Sequence, residues 1–105
     1  MEKLAMVYVT ASSRNEAVRI GQEMVSLRLV ACSNIYNPIT SFYRWDGKEE
    51  TSSEATLIMK TKESLLGELR DTIKKMHSYD CPSIVAIPII FADEQYAKWI
   101  VSETK

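Results

Sequence analysis

The side chains best suited to chemistry are concentrated in one short connection. His77, Tyr79, Asp80 and Cys81 fall close together, and Cys32 lies in an earlier apolar segment. An imidazole, a thiolate and a carboxylate form a donor set for a soft or borderline cation such as copper or zinc. The same groups suit nucleophilic catalysis if a cysteine and His77 form a hydrogen-bonded pair with an orienting group.

These residues also have ordinary structural explanations. A histidine near a helix C-terminus commonly interacts with the terminal carbonyl groups, and a single cysteine in an apolar strand is usually a small core residue. No CxxC, HxxxH or CxH pair fixes a metal geometry. Spacing alone therefore favours the structural explanation, and two cysteines are too few for a disulfide framework.

Length and charge exclude several classes of protein. The 105 residues, 46% of them hydrophobic, have room for one domain, residues 1–105. The net charge of −1 and the lack of RNP-type or glycine-rich phosphate-binding signatures predict neither a nucleic-acid partner nor an organic cofactor. The longest apolar run is too short to span a membrane. Because the N-terminus lacks a signal-peptide pattern, we expect a cytoplasmic location.

Strand and helix patterns alternate along the chain. The apolar run from Leu4 to Thr10 predicts a buried strand. Ser13 and Glu16 have capping-box spacing, in which the carboxylate returns to the amide of the cap residue, and a helix begins there. The apolar stripe of this helix contains Ala17, Ile20, Gly21, Met24, Val25 and Leu27.

The second half of the chain repeats this alternation. Thr61 can cap a second helix. The apolar segment 83–91 predicts a strand covered on both faces and broken by Pro88, and Asp93 can cap a short final helix. The order β-α-β-β-α-β plus a terminal helix predicts an α+β fold of the ferredoxin-like split type. The apolar stripe of the second helix is Leu65, Leu66, Leu69, Ile73 and Met76.

Two long strands between Leu29 and Thr61 are expected to fold back on each other. Asp46-Gly47 is a strong two-residue hairpin signal, because both positions need positive φ. Pairing outward from this turn sets Arg44 opposite Glu49, where they can form an ion pair. A strand of this length must bend, and Asn37-Pro38 marks the place.

The tip of this hairpin is aromatic. Phe42, Tyr43 and Trp45 lie at the end of an arm that cannot reach its own core, and exposed apolar area is unfavourable by ~25 cal/mol per Å². We therefore expect another subunit to cover them. Glu54 and Lys60 share one face of the return strand. They form either a solvated face or local ion pair, or the wall of a polar cleft between subunits.

Taken in order, these segments resemble the CutA family of divalent-cation tolerance proteins. The resemblance covers nearly the whole chain and implies a ferredoxin-like protomer in a compact homotrimer, with long hairpins reaching across neighbours. It also implies metal tolerance and copper binding without enzyme activity. The matching segments are RLVACSNI at 28–35, S-x-Y-x-W-x-G at 41–47, the Glu54 strand ending at Lys60-Thr61, H-x-Y-x-x-P at 77–82, A-x-P-I at 86–89 and the helix from Tyr96 to Trp99.

The resemblance carries a metal ligand over at only one position. His77 matches the family motif, whereas Val9 and Met76 stand where some relatives have a cysteine and a second histidine. Cys32 and Asp80 are the further candidate ligands. The metal would be copper or another divalent cation.

We thus expect a cytoplasmic, non-enzymatic homotrimer that binds divalent metal. The alternative is a trimeric small-molecule sensor or protein-interaction module that uses clefts between subunits. The residues expected in such a cleft or interface are Tyr43, Trp45, Glu54, Lys60, Tyr79 and Trp99.

Overall fold

A four-stranded antiparallel sheet and three helices make up the fold in the computed structural model, which describes residues 2–105. The strand order across the sheet is β2-β3-β1-β4. The predicted α+β class and the order of the elements are confirmed. The elements are β1 (Leu4–Ala11), α1 (Arg14–Ser26), β2 (Cys32–Trp45), β3 (Lys48–Lys62), a 3₁₀ turn (Glu63–Leu65), α2 (Leu66–Met76), β4 (Ile84–Ile89) and α3 (Glu94–Glu103).

The core lies between one face of the sheet and helices α1 and α2. Alternate residues of β1 and β3 point to this face, as the period of two in a strand requires. The α2 stripe is confirmed, with Leu69 and Ile73 fully buried and Leu65, Leu66 and Met76 packed beside them. The sheet residues in this core are Val7, Val9, Ala11, Ala55, Leu57 and Met59.

Helix α1 lies very close to the sheet. A Cβ atom added to Gly21 would meet Leu57 Cδ1 at 3.0 Å and Ser33 Cβ at 3.1 Å. A side chain here would force Leu57 or Ser33 to shift by a few tenths of an ångström, so glycine suits the close approach of the helix. The predicted stripe is correct at its centre but wrong at its end, because Val25 in the last turn of α1 and Leu27 just beyond it are 41% and 44% exposed.

The hairpin forms in the predicted register. Arg44 pairs with Glu49 across the strands, and their charged groups approach to 3.9 Å. Asp46 and Gly47 both have positive φ, at 50° and 75°. The pairing shifts between Tyr36 and Ile39, around Asn37-Pro38, as expected. Strand β2 begins at Cys32 rather than Leu29, because the amides of Leu29 and Val30 donate to Met24 O at the end of α1 instead of joining the strand ladder.

The start of the second helix differs from the prediction. Thr61 does not cap it; this residue is a fully buried part of β3, and its hydroxyl donates a hydrogen bond to Leu29 O at 2.6 Å. Helix α2 begins later, after the 3₁₀ turn. A threonine after an alternating strand fits a cap as well as a buried strand position, so the sequence pattern did not separate them.

Strand β4 lies at the edge of the sheet and has exposed side chains, so the prediction of a strand covered on both faces is wrong for the single chain. Pro88 lies inside it rather than breaking it, as an edge position allows. Val85 and Ile87 are about half exposed, and Ile90 and Phe91 beyond the strand are 97% and 85% exposed. Asp93 caps α3 as predicted, accepting hydrogen bonds from two backbone amides. Among residues 2–105, no helix is long and apolar enough to cross a membrane.

Candidate functional site: an acidic cleft with aromatic walls

The connection after α2 is held in place through His77, the only histidine in the chain. The Nε2 atom of His77 lies 2.8 Å from Thr10 O, and the amide of Tyr79 donates to His77 Nδ1 at 3.1 Å. A carbonyl oxygen can only accept and an amide can only donate, so the ring is the neutral tautomer with its proton on Nε2. The ring thus bonds β1 rather than the terminal carbonyls of α2, contrary to the structural explanation offered above.

A buried carboxylate provides a second anchor for this connection. Glu16 is 6% exposed. Its oxygens accept hydrogen bonds from the amide and hydroxyl of Ser12, both at 2.9 Å, and from the amide and hydroxyl of Ser78, at 2.8 and 3.1 Å. The predicted return of this carboxylate to the Ser13 amide is therefore wrong, although the Ser13 hydroxyl does accept from the Glu16 amide.

These four donors hold the Glu16 carboxylate in its charged form. Burial alone raises the pKa of Glu16. The hydrogen bonds from the amides and hydroxyls of Ser12 and Ser78 together outweigh this effect and lower the pKa from an ordinary 4.5 to about 2. Helix α1 and the connection after α2 are therefore joined by one ionised group. The capping-box spacing identified Glu16 in the sequence, but gave no sign of its contact with Ser78, 62 residues away.

Tyr79 joins the same connection to the hairpin. Its hydroxyl donates to Glu54 Oε2 at 2.8 Å, and Glu54 is 7% exposed. Burial raises the pKa of Tyr79, and the hydrogen bond to the Glu54 carboxylate raises it further. The phenol therefore remains protonated and acts as a fixed donor.

A cavity of about 500 Å³ lies between the hairpin arm and this connection. We call it the acidic–aromatic cleft. Its aromatic walls are Tyr43 and Trp45, which share one face of β2, and Tyr79 from the connection; Phe42 also borders it. Strand β2 can present these rings because the hairpin carries them beyond the core, where Phe42 and Trp45 are 77% and 56% exposed.

The polar lining of the cleft has one sign of charge. Glu50, Glu54 and Asp80 line it, and the lining contains no lysine, arginine or histidine. None of the ion pairs among residues 2–105 involves these three carboxylates. The remaining lining residues carry hydroxyl or thiol groups and are Thr10, Ser41, Ser83 and Cys81. The cleft is therefore suited to cations.

Comparison with known proteins places the chain in a family. The family described as CutA1 divalent ion tolerance protein matches residues 5–103. The chain belongs to the CutA1 family. A divalent-cation tolerance protein CutA of Archaeoglobus fulgidus is 44% identical over 94 residues, which cover 90% of this chain and 91% of that protein.

Rice relatives extend this similarity to a solved structure. Protein CutA 1, chloroplastic, of Oryza sativa subsp. japonica is 39% identical over 100 residues, but the match spans only 56% of its length. A crystal structure of CutA1 from Oryza sativa superposes with a TM-score of 0.96 at 38% identity, covering 99% of this chain and 95% of that one. The observed arrangement of strands and helices is thus that of CutA1 structures, and the family is named for tolerance rather than for a reaction.

Some of the predicted CutA1 site residues lie outside the cleft, at the far end of β3. Lys60 Nζ donates to the Tyr96 hydroxyl at 3.3 Å, and this hydrogen bond raises the pKa of Lys60. Cys32 Sγ lies 3.9 Å from the same hydroxyl, and the Trp99 ring lies 5.4 Å from the Tyr96 ring. Lys60 and Trp99 therefore do not line the cleft, whereas Tyr43, Trp45, Glu54 and Tyr79 do.

The three predicted metal ligands do not come together. In the sheet, Cys32 pairs with Lys60 of β3, and Lys60 pairs with Met6 of β1. The ring of His77 instead contacts the carbonyl of Thr10, which lies four residues farther along β1. At ~3.3 Å per residue this separates the ends by ~13 Å along the strand. Asp80 lines the cleft, but both nitrogens of His77 already have protein partners. Residues 2–105 contain no group of three His, Cys, Asp or Glu side chains arranged to hold a metal.

Proposed function

We propose that this CutA1 family member is a non-enzymatic binding module in divalent-cation tolerance, and that it binds cationic ligands in the acidic–aromatic cleft. The observation that carries the proposal is the composition of the cleft, in which three carboxylates and no basic side chain line a cavity of about 500 Å³. Clefts lined by one sign of charge concentrate ions of the opposite sign. An anionic ligand would find no basic side chain in this lining.

The residues of the cleft and the predicted ligand His77 differ in how readily they can bind a metal. Asp80 and Glu54 supply carboxylate oxygens, which hydrated divalent cations accept together with water. Cys81 is the single soft donor in the lining that copper or zinc would favour. His77 would have to release Thr10 O or the Tyr79 amide before it could bind a metal.

Metal titration tests this assignment directly. We expect Cu²⁺, Zn²⁺ and Ca²⁺, measured by isothermal titration calorimetry, to bind the parent more tightly than the double variant Glu54→Gln, Asp80→Asn. Cys32→Ser is the matched control, because its thiol lies outside the cleft and should leave the affinity unchanged.

The single histidine provides an independent readout. Its ring proton signals need no substitution to be assigned, and paramagnetic Cu²⁺ bound in the cleft should broaden the Tyr43 and Tyr79 signals as strongly as those of His77. Equal metal affinity in parent and double variant, with broadening confined to His77, would refute the cleft and favour an imidazole site.

We also propose the homotrimer that the family resemblance implies. Its support is the large exposed apolar surface, with Phe42 77%, Phe91 85% and Ile90 97% exposed in the single chain. The strand order β2-β3-β1-β4 supports the ferredoxin-like topology of each protomer. Sedimentation equilibrium should give three times the 12.0 kDa chain mass, and Phe91→Ser should lower it. A parent that sediments as a single chain would refute the assembly.

A cytoplasmic location remains part of the proposal. Cys32 and Cys81 are both free thiols, which suits a reducing compartment. Cell fractionation followed by thiol labelling tests it, since a periplasmic or extracellular pool of the protein would contradict it.

The alternative function, a small-molecule sensor, is favoured by the size of the cleft. Small-molecule sites typically enclose about 300–1,000 Å³, and a cavity of about 500 Å³ lies within this range. A bare metal ion would leave most of this volume and all of the aromatic walls unused.

A further inference from the structure

The aromatic walls of the acidic–aromatic cleft have a binding use of their own. Tyr43 and Trp45 share one face of β2, and Tyr79 contributes from the other element. The face of an aromatic ring attracts an organic cation, most strongly for tryptophan. A metal ion that keeps its water shell gains little from such rings, whereas an ammonium group attached to an apolar body can use both rings and carboxylates.

Glu54 supplies the directed polar contact. It is 7% exposed, and among its hydrogen bonds with residues 2–105 only Oε2 is an acceptor, from Tyr79. Every fully buried side-chain nitrogen and oxygen within the described part of the chain has a partner. The Oε1 atom of Glu54, which has none, therefore retains contact with the open space of the cleft.

In the part of the chain that the structure describes, the charge at this position has no compensating basic side chain. No lysine or arginine among residues 2–105 forms an ion pair with Glu54, and Asp80 and Glu50 add further acidic groups to the same cavity. A largely buried carboxylate without a counter-charge is unfavourable. A ligand that brings a positive charge to Oε1 would relieve this.

We propose that the cleft binds a small organic cation, a primary or quaternary ammonium compound with an aromatic or alkyl body. The ammonium group contacts the free oxygen of Glu54, and the body lies against Trp45 and Tyr43. This inference rests on the proposed cation preference of the cleft and extends it from inorganic ions to amines.

Three compounds of nearly the same shape test the proposal. Phenethylammonium carries a positive charge, 2-phenylethanol is neutral and phenylacetate is negative. The full-length chain with Trp99→Phe keeps Trp45 as its sole tryptophan, so fluorescence quenching reports on the cleft wall while calorimetry measures affinity. We expect phenethylammonium to bind and quench, 2-phenylethanol to bind at least about tenfold more weakly, and phenylacetate not to bind.

Two substitutions locate the charge recognition. Glu54→Gln keeps the side-chain shape. It should lower the affinity for phenethylammonium at least about tenfold and leave the affinity for 2-phenylethanol unchanged. Glu23→Gln on the exposed face of α1 is the matched control and should have no effect. The midpoint of thermal unfolding, measured for each variant, checks that Glu54→Gln is folded.

The outcomes separate this inference from the proposed function. Equal binding of the charged and neutral compounds, or equal affinity in the parent and Glu54→Gln, would overturn the organic-cation site. If the metal titration above succeeds while phenethylammonium fails to bind, the inference is wrong and the proposed function stands. If metals and amine all fail, both are wrong.

Discussion

The buried carboxylate of Glu16 should make the stability of the protein depend on pH in acid. In the folded chain its pKa is about 2, against an ordinary value of 4.5. A folded-state pKa below the unfolded value means that the contribution is present above the unfolded pKa and is lost as pH falls through the folded one. The window in which stability is lost therefore runs from about pH 5 to about pH 2.

The size of the contribution follows from the same two pKa values. The difference of 2.5, at 1.36 kcal/mol per pH unit, corresponds to about 3 kcal/mol at pH 7. By the same linkage about 1.4 kcal/mol remains at pH 3 and less than about 0.5 kcal/mol at pH 2. In Glu16→Gln the amide oxygen keeps three of the four donors if it takes the place of Oε1, and one if it takes the place of Oε2. The backbone amide of Ser78 or of Ser12 then loses its acceptor.

Urea unfolding followed by tryptophan fluorescence measures this effect. The free energy of unfolding of Glu16→Gln should lie below that of the parent by about 2–3 kcal/mol at pH 7, and the difference should shrink steadily towards pH 2. Glu23→Gln, on the exposed face of the same helix, should follow the parent at every pH. The Ser78 amide should exchange its hydrogen faster in Glu16→Gln. A difference independent of pH, or below about 0.5 kcal/mol at pH 7, would refute the reasoning.

Three further substitutions test the packing. Gly21→Ala should lower the free energy of unfolding by about 1–3 kcal/mol, because its Cβ would lie 3.0 Å from Leu57 Cδ1. Gly67→Ala should raise the free energy of unfolding by up to about 1 kcal/mol, since nothing lies within 4 Å of the added atom and alanine favours helix. Urea unfolding measures both variants, and a change of the same sign in the two would contradict this reasoning. Thr61→Val should destabilise by about 1–3 kcal/mol through the unpaired Leu29 carbonyl, and an unchanged urea midpoint would contradict this.

The hairpin was predictable from the backbone preferences of a few of its residues. Asp46-Gly47 fixes the turn and hence the whole register, and Asn37-Pro38 fixes the irregularity, because both depend on backbone preferences of the residues themselves. The aromatic tip was also predictable, since its exposure follows from the length of the arm.

Features that depend on contacts between distant segments were not predictable. The sequence placed Glu54 and Tyr79 among possible cleft residues but could not show their hydrogen bond, which joins positions 25 residues apart. It grouped Lys60 with Glu54 because alternation puts both on one face of β3. Alternation does not measure distance along the strand, and six residues separate them by ~20 Å.

The contacts of His77 affect how substitutions at this position can be interpreted. Its ring fastens the connection to β1 on one side and to the Tyr79 backbone on the other. Replacing it with alanine would release both attachments together and let Tyr79 shift away from the cleft. Loss of copper binding in such a mutant would therefore be no proof of direct coordination. Asp80→Asn, in contrast, changes a charge of the cleft without removing either hydrogen bond of His77.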